Sequence, residues 1–268
     1  VSDLTLADGF GWQLAGGVLN NGTLTLDRVT VTNNTMATDA GDFWQGGGGI
    51  YSGNGATLNL IDSTVANNVA GWSGGGVYSF FNTSTTIVRS SISGNVSNDV
   101  GGGLRSLGNV TIMNSTISGN QATGWYGGAL FATDGVVNVT NSTIANNVSP
   151  SWAPADLFVG TFGDGSATLT LTNSIVSSAQ DNCFFAPWGA GTVTLTADHN
   201  NVLTDATCFA GASDQIVADA GLDVLANNGG PTLTHALLAG SVAIDAADTA
   251  VCPATDQRGI SRDAACDV

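Results

Sequence analysis

The chain has 268 residues, 37 of them Gly, and sets 21 acidic side chains against five basic ones, a net charge of -16. Every acid is Asp and every base is Arg. The absence of Glu and Lys, two strong surface helix formers, excludes a mainly helical fold. The charge opposes nucleic acid and anionic membranes as partners, and no apolar run of about 18 residues is present for membrane insertion.

In chain order the first signal is Ala15-Gly16-Gly17-Val18, a Gly-rich lead-in to an aliphatic residue. It recurs as Gly47-Gly48-Gly49-Ile50, Gly74-Gly75-Gly76-Val77, Gly101-Gly102-Gly103-Leu104 and Gly127-Gly128-Ala129-Leu130, with the aliphatic residues 32, 27, 27 and 26 apart. An alternating strand follows each lead-in: Leu24-Thr25-Leu26, Leu58-Asn59-Leu60, Thr85-Thr86-Ile87, Val110-Thr111-Ile112 and Val137-Asn138-Val139, with a further copy at Leu169-Thr170-Leu171. Period-two alternation puts the aliphatic residues on one face and Thr or Asn on the other. Each unit then exits through Val29-Thr30-Val31-Thr32-Asn33-Asn34 or its equivalents, which end at Asn68, Asn95, Asn120 and Asn147, with a weaker copy at Ser174-Ile175-Val176-Ser177. A unit of this length with three short strands has no room for a helix and is too short for a propeller blade. The pattern predicts an all-β, single-domain parallel β-helix of about eight coils over residues 1–210, with residues 211–268 as a C-terminal cap on the last coils.

Equivalent residues of adjacent coils stack about 4.8 Å apart. Asn34, Asn68, Asn95, Asn120 and Asn147 are therefore expected to form an internal amide ladder, and Ser63, Ser90, Ser115 and Ser142 a second one. Arg28, Asp62 and Arg89 alternate in sign along an outer corner. Thr25, Asn59, Thr86, Thr111, Asn138 and Thr170 form an outward row, a weak fit to an ice-binding surface.

The candidate binding residues are aromatic. Phe43, Trp44, Trp72, Trp125, Tyr126 and Trp152 all fall between an Asn exit and the next lead-in, so they should gather along one edge. There they would stack on sugar rings, meet a partner chain, or fold back over their own corner. Catalysis is not expected: the Asp residues lie singly at turns, whereas glycoside hydrolysis needs converging carboxyls. No cofactor or metal is expected. Asp214, Asp219 and Asp223 follow no calcium-loop spacing, and His235, Ser241 and Asp245 lack a nucleophile elbow.

Four cysteines close the chain. Cys183 and Cys208 are 25 apart, one coil, which suits a disulfide between stacked residues. Cys252 and Cys266 are left to pair, and both bonds imply an oxidising compartment.

The Gly-Gly-aliphatic lead-ins and Ser-Thr-Ile-x-x-Asn exits resemble the repeats of polymorphic-outer-membrane-protein-like β-helices. The segment Leu222-Asp223-Val224-Leu225-Ala226-Asn227-Asn228-Gly229-Gly230-Pro231-Thr232-Leu233-Thr234-His235 resembles the module before the sorting anchor of choice-of-anchor Q domain proteins. So does Gly240-Ser241-Val242-Ala243-Ile244-Asp245-Ala246, where Val242 replaces the usual Pro. The resemblance implies a secreted bacterial surface protein with a right-handed β-helix. The resulting expectation is a non-catalytic structural or adhesive solenoid, extracellular, whose partners are copies of itself or upstream coils, and glycans. The alternative is a carbohydrate-binding or polysaccharide-degrading β-helix.

Overall fold

The computed structural model describes residues 1–37, 45–197, 199–208 and 211–268. Phe43 and Trp44 lie outside the described residues. Among those described, strands and turns account for the whole chain and no helix forms, as expected of a chain without Glu and Lys.

Three faces run the length of the molecule, each with one strand per coil, two of them belonging to a single sheet joined through Thr23–Thr32. The lead-in face stacks Val18–Asn20, Ile50–Ser52, Val77–Ser79, Leu104–Ser106, Leu130–Thr133, Leu157–Phe162 and Cys183–Trp188. The long-strand face runs from Thr23–Thr32 through Thr57–Ile61, Ser84–Val88, Asn109–Met113, Val136–Thr140 and Ser166–Thr172 to Thr192–Ala197. The exit face carries Thr64–Ala66, Ser91–Ser93, Thr116–Ser118, Thr143–Ala145 and Ile175–Ser177. All neighbours on these faces pair in parallel, with Val77 opposite Ile50 and Leu104, and Ile87 opposite Leu60 and Ile112. Seven strands on the lead-in face make about seven full turns, while Ser2–Ala7 and Gln215–Ile216 add partial turns at the ends. A further short sheet, absent from the three-strand expectation, follows the Asn exits at Phe10–Trp12, Thr35–Ala37, Val69–Ala70, Val96–Ser97 and Gln121–Ala122.

The core is a column of aliphatic layers. Leu58, Leu60, Val65 and Ile50 give way to Ile87, Ile92 and Val77, then to Ile112, Ile117 and Leu104, all fully buried. Such close stacking requires tight corners, and the sequence supplies residues that tolerate a left-handed backbone. One corner is turned by Arg28, Asp62, Arg89, Asn114, Asn141, Asn173 and Asn200, each with φ between 46° and 58°. Asn200 holds that place in the last coil. At the lead-ins Gly74 adopts φ 67°. Gly76 is needed for space instead: a Cβ there would stand 2.6 Å from the Gly103 carbonyl and 3.0 Å from the Asn95 amide.

The expected ladders form. Asn34 Nδ2 donates to Asn68 Oδ1, Asn68 to Asn95, Asn95 to Asn120 and Asn120 to Asn147, each at 2.9 Å. The second N–H of each amide reaches a carbonyl of the neighbouring coil, as from Asn95 to Val65, and each Oδ1 also accepts a backbone N–H. Ser63, Ser90, Ser115 and Ser142 repeat a second scheme, in which each Oγ accepts the N–H of the preceding rung and donates to the carbonyl two residues back. The charged corner forms only in part. Arg89 grips Asp62 at 2.7 and 2.8 Å, whereas Arg28 turns to Asp3 and Asp27.

The amide ladder ends where the sequence stops supplying Asn. Continuing the register of Ala145 opposite Ser177 puts Ala179 at the next rung. Asp156, in the place of the third lead-in Gly, fills the gap. It is fully buried, accepts from Ser178 Oγ at 3.1 Å, and leaves Oδ2 without a hydrogen-bond partner. Burial pushes its carboxyl up to about 8, against the opposing pull of Ser178 and Asn147.

Residues from 217 onward do more than cover the last coils. They run back along the flank as a strap held at five successive coils. Asn200 donates to the Ala246 carbonyl and Asn173 to that of Asp248; Asn141 Nδ2 faces the Cys252 sulfur, and Asn114 donates to the Thr255 carbonyl. Thr232 reaches the Arg89 carbonyl, and buried Gln257 joins Thr116, Thr232 and the Leu233 carbonyl. Both disulfides pair as the spacing predicts. Cys183–Cys208 spans one coil at 4.9 Å between Cα atoms, and Cys252–Cys266 closes the strap at 6.7 Å.

Candidate functional site

The residue after each lead-in aliphatic points away from the core. Parallel register therefore lines these residues up in a column outside the aliphatic core, most of it buried: Leu19, Tyr51, Tyr78, Arg105, Phe131, Phe158 and Phe184. Five of the seven are aromatic, and they stack. The Tyr51 and Tyr78 rings lie 5.2 Å apart, nearly parallel, and Phe131 lies 4.1 Å from Phe158. Arg105 takes the middle place, its guanidinium carbon 4.5 Å from the centre of the Phe131 ring. A flat cation thus stands in for a ring.

The strands Leu157–Phe162 and Cys183–Trp188 are longer than the others on this face. They carry Phe162 and Trp188 around to form one wall, with Trp188 5.0 Å from Phe158 and 5.3 Å from Phe162. The turns after the Asn exits bring Trp72, Ser73, Asp99 and Trp125 to the opposite side. Between them lies an open groove of about 570 Å³, also lined by Phe81 and Val100 and floored by Phe131 and Arg105.

The sequence-derived aromatic set divides here. Trp72 and Trp125 line the groove. Trp152, 61% exposed, meets the Trp125 ring edge-on at 5.4 Å and extends that rim. Tyr126 folds inward and stacks on Phe184 at 4.6 Å and on Phe158 at 5.2 Å, so for this ring the fold-back alternative holds. Sequence reasoning missed Phe131, Phe162, Trp188 and the place of Arg105, although an aromatic follows three of the four lead-in aliphatics from Ile50 onward.

The groove's polar groups are few and distinct. Asp99 accepts from Ser73 Oγ at 3.2 Å; burial raises its carboxyl above the ordinary range, with Arg105 acting the other way. Arg105 is 5% exposed, and the loss of water pulls its guanidinium below its ordinary range. Its fork bonds Thr133 Oγ1 at 3.4 Å, and Tyr78 is a further hydrogen-bond partner. No carboxylate among the described residues lies within 4.0 Å of it, while Arg28, Arg89 and Arg258 each hold an Asp at 2.7 Å.

The other candidates resolve into scaffold. His235 bonds Ser118 Oγ through Nε2 and the Asp223 carbonyl through Nδ1, and Ser241 donates to Ala220, so each has a partner outside a triad. Asp214 accepts from Asn201 and Gly211, and Asp219 from Gly221, as turn and ladder acceptors. Among the described residues no three His, Cys or Asp side chains gather as a metal site.

The disulfides suit folding in an oxidising, non-cytoplasmic environment, and no helix is long and apolar enough to cross a membrane among the described residues. No curated protein and no solved structure matches the chain. A family model described as a right-handed β-helix region matches residues 17–204, the span of the stacked coils, and the chain belongs to that family.

Proposed function

We propose that the protein is a non-catalytic binding solenoid of the cell exterior that holds a glycan chain in the aromatic groove. One observation carries this reading: three indoles, those of Trp72, Trp125 and Trp188, face a single open groove together with Phe162 and a sparse set of polar groups. Pyranose rings present apolar faces to such indoles and hydroxyls to Ser73, Asp99 and Arg105. A binding role without turnover fits the carboxyl count, because Asp99 is the single carboxylate lining the groove among the described residues and glycoside hydrolysis needs two. The resemblance of residues 222–238 to the choice-of-anchor Q module supports a bacterial surface setting.

The test is a glycan array probed with the full chain, followed by titration of the bound glycans. Trp125→Ala and Trp188→Ala should each weaken binding about tenfold or more. Silence across the array, or affinity untouched by either change, would refute the reading.

The first coil favours a second role. Phe10, Trp12 and Leu19 are 52–63% exposed there, and among the described residues the strands Ser2–Ala7 and Val18–Asn20 each lack a neighbour on one side. Such an edge templates strand pairing, so end-to-end contact with a second copy or with preceding coils is the accompanying proposal. Light scattering should show association that Trp12→Asp abolishes; a monomer at every concentration would exclude self-association.

A further inference from the structure

If the groove holds glycans as proposed above, its chemistry is more specific than stacking alone. We propose that Arg105 selects glycans bearing a carboxylate on the sugar seated over it: a single acidic unit in an otherwise neutral chain.

The position of Arg105 sets its chemistry. Phe131 stacks on the guanidinium at 4.5 Å, Phe162 lies next at 5.8 Å, and Tyr78 is a hydrogen-bond partner. Stacking on Phe131 covers a face and leaves the in-plane N–H edges for bonding. Those edges meet neutral hydroxyls, Thr133 at 3.4 Å and Tyr78, and no carboxylate within 4.0 Å among the described residues. A guanidinium this deeply buried retains little water, so one with no carboxylate in contact is unfavourable. A bound carboxylate offsets that loss: it is planar, carries the opposite charge, and matches the fork through two parallel hydrogen bonds. What exposure Arg105 keeps opens on the groove that it lines.

The surroundings limit the ligand to one such charge. Asp99 lines the same groove, Asp134 acts electrostatically on Arg105, and the whole chain carries -16. A polyanion would meet this field along its length. A chain with one acidic ring meets attraction at Arg105, while Asp99 and Ser73 are left for its hydroxyls. This also separates the site from an ordinary basic patch. Long-range repulsion is screened by salt while a buried contact is screened much less, so affinity for the acidic glycan should hold or rise as salt increases.

The test uses the full chain on an array printed with matched pairs, each neutral oligosaccharide beside its uronic-acid and sulfated counterparts, followed by calorimetry on the best pair at low and high salt. Expected are a preference of about tenfold or more for the carboxylated member and no loss of affinity with salt. Arg105→Gln should erase the preference by weakening the carboxylated member far more than its neutral counterpart, and Arg105→Lys should not restore it. If these variants melt early, the wild-type pair comparison and its salt response decide alone. Equal binding within pairs, or preference for the sulfated member, would overturn the role of Arg105 and leave the groove reading standing. Silence for every glycan would overturn the groove reading itself, and this one with it.

Discussion

The Asn ladder and the aromatic column are the same device at two places on the coil. Each takes one residue per turn, stacked by the same parallel register, yet they differ in completeness. In the ladder every amide meets an identical amide, and donors and acceptors are used up along Asn34, Asn68, Asn95, Asn120 and Asn147. In the column a cation interrupts the rings, and Arg105 has no carboxylate within 4.0 Å among the described residues. A stack of like residues is self-satisfying and therefore structural. A stack with one unlike member retains bonding capacity that a ligand can use.

Breaking the complete stack should have the largest effect. Asn95→Ala removes the acceptor for both the Asn68 side chain and its backbone N–H. Two donors left buried at ~1–3 kcal/mol each give a loss on the order of 4 kcal/mol, readable as a lower urea midpoint. Mending the ladder where it ends is the next test. The Asp156 carboxyl is raised to about 8, so the folded protein holds this proton more tightly than the unfolded chain does. Its favourable contribution is complete below the ordinary Asp range and is lost as pH rises toward about 8. Asp156→Asn should flatten that decline and exceed the parent stability above about pH 8; melting curves across pH will show the slope vanish or persist. The smallest effect belongs to the aromatic stack. Phe158→Leu loses its ring pairs but keeps an apolar side chain in a cluster separate from the main core, and should lower stability by about 2 kcal/mol. A loss as large as that of Asn95→Ala would erase the distinction between the two stacks.

Most of the fold was legible because stacking makes period visible. The spacing of the Gly-rich lead-ins gave the coil, the Asn and Ser positions gave the ladders, and a separation of one coil paired Cys183 with Cys208. The strap was not legible. Gln257 meets Thr116 across 141 residues and Ser90 across 167, and contacts made once leave no periodic trace. The groove was half legible. Trp72 and Trp125 stand out as rings in turns, whereas Phe162 and Trp188 depend on two strands extending past their neighbours. Arg105 carries no signal in the sequence because its significance lies in what stands beside it in the column.

The strap also changes how the molecule bears load. An array of repeats joined only to nearest neighbours frays from an end, one unit at a time. Here Asn114, Asn141, Asn173 and Asn200, with the Arg89 and Ser90 carbonyls, fasten successive coils to one continuous segment. Tension on residue 268 is shared among these attachments in shear before it can unwind a coil, much as a batten stiffens a stack of planks.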